Sequence, residues 1–167
     1  MGFDTGTALT VDGVTYSFPV GGATMVVGDS TDVSATFTGA CTYSAFTDAT
    51  PDDCGTGNSL GVGGNGVTAS VGYAFDSGFS LAGGVSSPQS EILGDASADI
   101  FGLEAAYSAD NYGLAVAYVT DDGGAGAETT TWVLTVTTLQ KEASLQSVLV
   151  LKVQNLAELI VMDTSLV

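Results

Sequence analysis

The sequence predicts an all-β protein built as an antiparallel meander of β-hairpins. Several runs alternate between large apolar residues and small or polar ones, which is the pattern of strands with two different faces. Short turns rich in Gly, Asp or Asn separate these runs in pairs. The segment GVTASVGYAFDSGFSLAGGVSS (66–87) also resembles IFGLEAAYSADNYGLAVAYVTD (100–121), so one hairpin unit recurs after about 34 residues.

The first predicted hairpin joins residues 14–20 and 24–28 through a turn at Gly21 and Gly22. Its first strand places Thr15 and Ser17 on one face. The opposite face carries Val14, Tyr16, Phe18 and Val20.

Residues 66–120 predict four further strands, with turns at 76–78 and 109–111. Thr68 and Val71 are therefore expected on opposite faces of the sheet. The apolar face is predicted to carry Val67, Val71, Tyr73, Phe75, Phe79, Leu81, Phe101, Leu103, Tyr107, Tyr112, Leu114, Val116 and Tyr118, and the small, polar face Thr68, Ser70, Gly72, Ser80, Gly84, Ser86, Gly102, Glu104 and Ala106.

A change of composition near residue 132 divides the chain into two predicted regions. Residues 1–132 contain all the Gly, Tyr and Phe of the sequence, whereas residues 133–167 contain both Lys. Apolar residues between Leu145 and Ile160 recur at steps of three and four, so a helical or disordered tail is expected at 143–161. A neighbouring reading frame can restore the earlier composition, and we therefore interpret the tail as a possible frameshift.

The connections between predicted strands are alternately short and long, which favours a transmembrane β-barrel over a soluble β-sandwich. Long connections are expected at 30–65 and 87–98, and short turns at the opposite end of the strands. Aromatic residues cluster near the strand ends, as in the girdles of outer-membrane barrels. About seven strands are expected, fewer than the roughly eight of the smallest closed barrel.

The charge balance excludes several classes of function. The chain has 19 acidic residues, two basic residues, no His and a formal net charge of -17. Nucleic-acid binding needs Lys and Arg to neutralise phosphates, so no nucleic-acid partner is expected. Catalytic sites with a His base and His-ligated metal sites are absent by composition, and no enzyme, catalytic residue, metal or cofactor is predicted.

The acidic residues concentrate at the end of the predicted sheet that carries the long connections. Without basic residues nearby they would form a negative vestibule that attracts cations. The candidates are Asp29, Asp32, Asp52, Asp53, Asp121 and Asp122. Glu104 is expected on the small, polar face of a strand and is the candidate for the lumen.

Cys41 and Cys54 lie in the longest connection and form a candidate disulfide in an oxidising compartment. In a reducing compartment the pair is expected to stay reduced. The first residues have neither a basic region nor an apolar core, so no signal peptide is expected, and a truncated reading frame is the interpretation we favour.

Several segments resemble the barrel of the cyanobacterial outer-membrane porins, which carry an S-layer-homology domain and are related to carbohydrate-selective porins. The segments are VTYSFPVG (14–21), VVGDSTD (26–32), ACTY (40–43), DDCG (52–55), NSLGVGGNGV (58–67) and GYAFDSGFSLAGG (72–84). The resemblance covers residues 11–132 and implies a passive channel in the outer membrane for small hydrophilic solutes and ions, including nutrients such as iron or sugars. Its implied partners are outer-membrane lipid, such solutes and cations, and further copies of the chain as a possible homo-oligomer.

Two alternatives to a porin remain open from the sequence. One is a secreted, acidic, β-rich adhesin or surface-layer module. The other is a nonfunctional truncated fragment. Partition into detergent separates the porin from the adhesin, and the nucleotide sequence decides whether the tail is frameshifted.

Overall fold

The computed structural model describes residues 13–38, 66–88, 92–94, 97–124, 126–140, 145–154 and 158–164. All strands within these ranges belong to one antiparallel sheet in which each strand pairs with the next along the chain. The strands are β1 Val14–Val20, β2 Ala23–Asp29, β3 Gly66–Ala74, β4 Phe79–Pro88, β5 Ile100–Ser108, β6 Tyr112–Asp121, β7 Thr129–Gln140, β8 Leu145–Gln154 and β9 Glu158–Thr164.

The all-β antiparallel meander predicted from alternation is therefore confirmed. Within the described ranges, β1 pairs with β2 alone and β9 with β8 alone, so the sheet is open. None of the described residues forms a helix long and apolar enough to span a bilayer. Strands β3 to β8 have 9 to 12 residues, and the other three strands have seven.

The turns follow from backbone chemistry that only a few residues tolerate. Gly21 and Gly22 both have positive φ, 55° and 90°, as a two-residue hairpin turn requires. In the β3–β4 turn the Gly78 N–H donates to the Phe75 carbonyl at 3.1 Å, and Gly78 has a φ of 86°. Between β5 and β6 the Ala109 N–H donates to the carbonyl of Tyr112 at 2.9 Å. The turns predicted at 76–78 and 109–111 and the four strands around them are confirmed.

The two faces of the sheet have the opposite burial from that of an ordinary soluble protein. Thr68 is 1% exposed and Val71, three residues later in the same strand, is 44% exposed, which confirms their predicted separation. The exposed large apolar residues on or beside the strands are Val14, Tyr16, Val20, Val67, Val71, Tyr73, Phe75, Phe79, Leu81, Phe101, Leu103, Tyr112, Leu114, Val116, Trp132 and Leu134. The buried side chains of the other face are mostly small or polar: Val26, Thr68, Ser70, Ser86, Glu104, Ala106, Ala115, Ala117, Val119, Thr131, Val133 and Thr135. We call these the apolar face and the polar face.

Aromatic rings on the apolar face form contacts, most of them beside the short turns. Close to the short turns, the ring centroids of Phe79 and Tyr107 are 4.7 Å apart, and those of Tyr107 and Tyr112 are 6.0 Å apart. Further along the strands, at the level of Leu103, Tyr118 and Trp132 are neighbours across β6 and β7, with centroids 4.8 Å apart. Cross-strand aromatic pairs of this kind stabilise the sheet beyond the area that they cover.

The helix or disorder expected at 143–161 is wrong for the described part of that range, which forms strand β8 and the start of β9. Strand β7 runs through residue 132, and β8 pairs with it in continuous register from Thr131–Gln154 to Gln140–Leu145. The tail has steps of three and four between apolar residues, but it is also rich in Val, which favours strands. The edge of β7 presents backbone N–H and C=O groups with which this segment pairs as a strand. Tertiary pairing therefore overrides the local periodicity, and the sheet gains two strands beyond the seven expected.

Candidate functional site

A segment between β2 and β3 folds back across the polar face of the sheet. We call residues 31–38, with the sequence TDVSATFT, the inner strap. Two successive turns shape it, because the Ala35 N–H donates to the Asp32 carbonyl at 3.1 Å and the Phe37 N–H to the Ser34 carbonyl at 2.8 Å. The Asp32 carboxylate accepts hydrogen bonds from both the N–H and the hydroxyl of Ser34, at 2.8 and 2.9 Å. The strap is therefore an ordered element with its own local structure.

Hydroxyl groups attach the inner strap to successive strands of the sheet. The Thr68 hydroxyl of β3 donates to the Thr31 carbonyl. The Thr36 hydroxyl is hydrogen-bonded to that of Ser70, also on β3. Thr38 makes the same kind of contact with Ser80 of β4, with 2.9 Å between the hydroxyl oxygens. These contacts run along the strap, so polar groups of both partners are paired where they are buried.

Glycines on the polar face give the inner strap room to lie against the backbone of the sheet. A Cβ at Gly72 would lie 3.0 Å from the Thr36 Cβ, and one at Gly102 would lie 3.0 Å from the Phe37 ring. Such distances are shorter than ordinary van der Waals contact, so a larger residue at either position would push the strap outward. The glycines thus serve close packing rather than chain flexibility at these sites.

Two apolar side chains of the strap fill the middle of the polar face. Val33 is 1% and Phe37 is 9% exposed, and both belong to one buried cluster with Ala117, Val119 and Val133 of β6 and β7. Beside this cluster a cleft of about 320 Å³ is bordered by the hydroxyl-bearing residues Ser17, Thr24, Thr36, Thr38 and Ser80. The described polar face therefore combines a packed centre with a hydroxyl-lined opening next to it.

Glu104 lies near the middle of β5 on the polar face and is 5% exposed. Its neighbours across the sheet are Ala82 and Ala117, whose small side chains leave room for the carboxylate. One carboxylate oxygen accepts a hydrogen bond from the backbone N–H of Thr38. The side chain proposed for the lumen is thus on the expected face, but it contacts the strap.

The acidic residues proposed for a vestibule occupy different places. Asp29 is the last residue of β2 and Asp121 the last residue of β6. Both therefore lie at the end of the strands from which the long connections leave. Asp121 accepts a hydrogen bond from the Gly123 N–H at 2.8 Å, and Asp122 accepts two, from the N–H groups of Asp99 at 2.8 Å and of Gly124 at 3.0 Å. Asp32 instead belongs to the inner strap. Asp29, Asp121 and Asp122 thus lie at the same end of the strands, whereas Asp32 lies on the polar face.

The remaining site residues proposed from the sequence, Asp52, Asp53, Cys41 and Cys54, lie outside the described residues. Among the described residues, no group of three or more His, Cys, Asp or Glu side chains is placed to hold a metal ion.

The inner strap is not predicted from the sequence, in which residues 30–65 are expected to form one long connection. The signal was present in two parts. The strap carries hydroxyl residues around Val33 and Phe37, and the polar face carries glycines at 28, 72, 84 and 102, all of which approach strap residues. Only the register of the sheet brings these glycines close to one another, so their common purpose could not be inferred from spacing along the chain.

A scan of the sequence against protein-family models finds no match, and a search of curated proteins finds no significant similarity.

Proposed function

We propose that the chain forms part of an outer-membrane porin of the cyanobacterial type it resembles, a passive channel for small hydrophilic solutes and ions. The observation that carries the proposal is the exposure of the large apolar face together with the burial of the small, polar one. A soluble monomer rarely exposes a contiguous apolar patch much larger than roughly 300–600 Å². The apolar face here extends over strands β1 to β7, and acyl chains of lipid are the partner that suits a surface of this extent.

Strand length and aromatic placement support the same proposal. A tilted transmembrane β-strand needs about 9–11 residues, and β3 to β8 have 9 to 12. The aromatic rings of Phe79, Tyr107 and Tyr112 beside the short turns match one interface of a bilayer. On the apolar face, a groove of about 630 Å³ bordered by Leu81, Leu103, Val116 and Trp132 offers a place for acyl chains.

The proposed channel favours cations. The chain carries a net charge of -17. Asp29, Asp121 and Asp122 lie at the same end of the strands, where they would surround one mouth of a pore. Charges at a wet rim act over about 10 Å at 0.1 M salt and over about 3 Å at 1 M. Inorganic nutrient cations such as iron and neutral solutes such as sugars are the proposed cargo.

Reconstitution into lipid tests the proposal. The chain should partition into the detergent phase on phase separation. Because its described sheet is open, channels should form only when several copies assemble, and these assemblies should conduct ions in planar bilayers with a preference for cations at about 0.05 M salt that is lost near 1 M. A chain that stays in the aqueous phase without detergent would indicate the adhesin or surface-layer alternative. Anion-selective conductance would also contradict the proposed function.

A further inference from the structure

The contact between Glu104 and the inner strap differs from what a charge lining an open pore would make. Glu104 is 5% exposed, so little of its carboxylate meets solvent. An oxygen of that carboxylate is occupied by the backbone N–H of Thr38. Its position on β5 reaches the strap across the small residues Ala82 and Ala117.

The remaining strap contacts explain why this one matters. Thr31 and Thr36 are attached to β3, and Val33 and Phe37 pack on the apolar cluster. Thr38, the last described residue of the strap, is held by a hydroxyl contact to Ser80 and by Glu104. Among the described hydrogen bonds of the strap, the one to Glu104 spans the greatest separation along the chain, 66 residues, and it ties the strap to β5.

We propose that Glu104 is a positioning residue, which holds the inner strap on the polar face so that solutes meet the strap and not the strand wall beneath it. The inference rests on the proposed channel function, because it assigns the polar face to the lumen. It also changes the role predicted for Glu104 from the sequence. The carboxylate acts on pore size through the hydrogen bond that it accepts from the Thr38 N–H. The acidic residues at the rim, Asp29, Asp121 and Asp122, supply the selectivity.

Two substitutions at this position separate geometry from charge. Glu104→Gln removes the charge but keeps a side-chain oxygen that can accept the Thr38 N–H. Glu104→Ala removes both. If Glu104 is a positioning residue, the Gln variant should keep the conductance and cation preference of the unsubstituted chain within about twofold, and the Ala variant should raise conductance several-fold. A role in selectivity would instead make both variants lose cation preference alike.

A thiol placed on the strap reports its position without any need for a channel. The substitution Thr36→Cys is introduced into a Cys41→Ser/Cys54→Ser background, so that the chain has a single thiol. The rate at which this thiol reacts with a membrane-impermeant maleimide is then measured. Because Thr36 is half-buried beside the cleft, Glu104→Ala should raise this rate several-fold, and Glu104→Gln should leave it nearly unchanged. An equal rate in all three proteins would overturn the proposal.

A disulfide provides the rescue that distinguishes a displaced strap from a misfolded protein. Thr36 and Ser70 have hydroxyl oxygens in hydrogen-bond contact, so Thr36→Cys and Ser70→Cys place two sulfurs where a disulfide can form. In the Glu104→Ala background, oxidation should restore the original conductance, and reduction should raise it again. Failure of the disulfide to form overturns the strap placement itself.

The outcomes for strap and channel can be told apart. If maleimide labelling follows the expected order but the chain stays in the aqueous phase without detergent and its assemblies do not conduct, the porin function is wrong and with it the role of Glu104 in a pore. If the proteins conduct but Glu104→Ala neither exposes Thr36→Cys nor changes conductance, the porin function stands and the positioning role is wrong.

Discussion

The substitution Leu103→Arg tests whether the apolar face meets lipid. Leu103 is 63% exposed and lies on β5 between Gly83 and Tyr118 of the neighbouring strands. It is three residues from Ile100 and five from Ser108, which places it roughly 10 and 17 Å from the two strand ends at about 3.3 Å per residue. In water, a charge at so exposed a position changes the free energy of unfolding by only about 0.5 kcal/mol. Near the middle of a bilayer, an Arg on the lipid face costs about 2–4 kcal/mol.

Urea unfolding in phospholipid vesicles measures the difference. The matched control is Val20→Arg, which is also on the apolar face and 48% exposed but lies beside a short turn, at the last position of β1. A charge near the interface costs about 0–1 kcal/mol, so Leu103→Arg should be the less stable variant by at least about 1 kcal/mol. Since about 1.4 kcal/mol corresponds to a factor of ten, its full cost lowers the folding equilibrium roughly 30- to 700-fold. Equal stabilities of the two variants would refute the idea that the centre of this face is in lipid.

Three further predictions follow from particular contacts. Gly102→Val should raise maleimide labelling of Thr36→Cys several-fold in the Cys41→Ser/Cys54→Ser background, because a Cβ at Gly102 would lie 3.0 Å from the Phe37 ring. The control is Gly83→Val on the apolar face. Equal labelling of the two variants would contradict the close packing of the strap. Gly78→Ala should lower the free energy of unfolding by more than about 1 kcal/mol, since its φ is 86° and its Cβ would lie 2.5 Å from the Ser108 carbonyl oxygen, whereas Gly21→Ala, with positive φ but open space, should cost less; unfolding in urea compares them. Asp121→Asn/Asp122→Asn keeps the side-chain oxygens that accept hydrogen bonds from backbone N–H groups, and it should reduce cation preference at low salt but not near 1 M. The control is Asp76→Asn/Asp110→Asn in the short turns. An equal loss of cation preference in the control would argue against a vestibule at the end of the strands that carries the long connections.

The sheet between residues 66 and 121 could be predicted because local signals agree there. Alternation assigns Thr68 and Val71 to opposite faces, and Gly78 supplies the positive φ that the β3–β4 turn requires. Turn chemistry and face pattern depend on neighbouring residues, so a single sequence contains the information for both.

Strand β8 was beyond this reasoning because its conformation depends on a partner. Leu145, Val148 and Leu149 fit a helical period and also fit a strand, and only the edge of β7 decides between them. The role of Glu104 was missed for a related reason. Its face followed from alternation, but its contact to Thr38 joins residues 66 positions apart, and no local pattern encodes such a pairing.

The inner strap is far along the chain from the residues of β3, β4 and β5 that it contacts, and this separation implies an order of assembly. Every strand of the sheet pairs with its neighbour in the chain, so the sheet can grow one hairpin at a time through contacts of short range. The strap cannot follow that sequence, because its partners on β3, β4 and β5 lie 34, 42 and 66 residues further along. Thr38 has no Glu104 to contact until β5 has joined β4. The strap therefore completes its contacts with the polar face only after β3, β4 and β5 have paired, and in the proposed channel this step would set the width of the lumen.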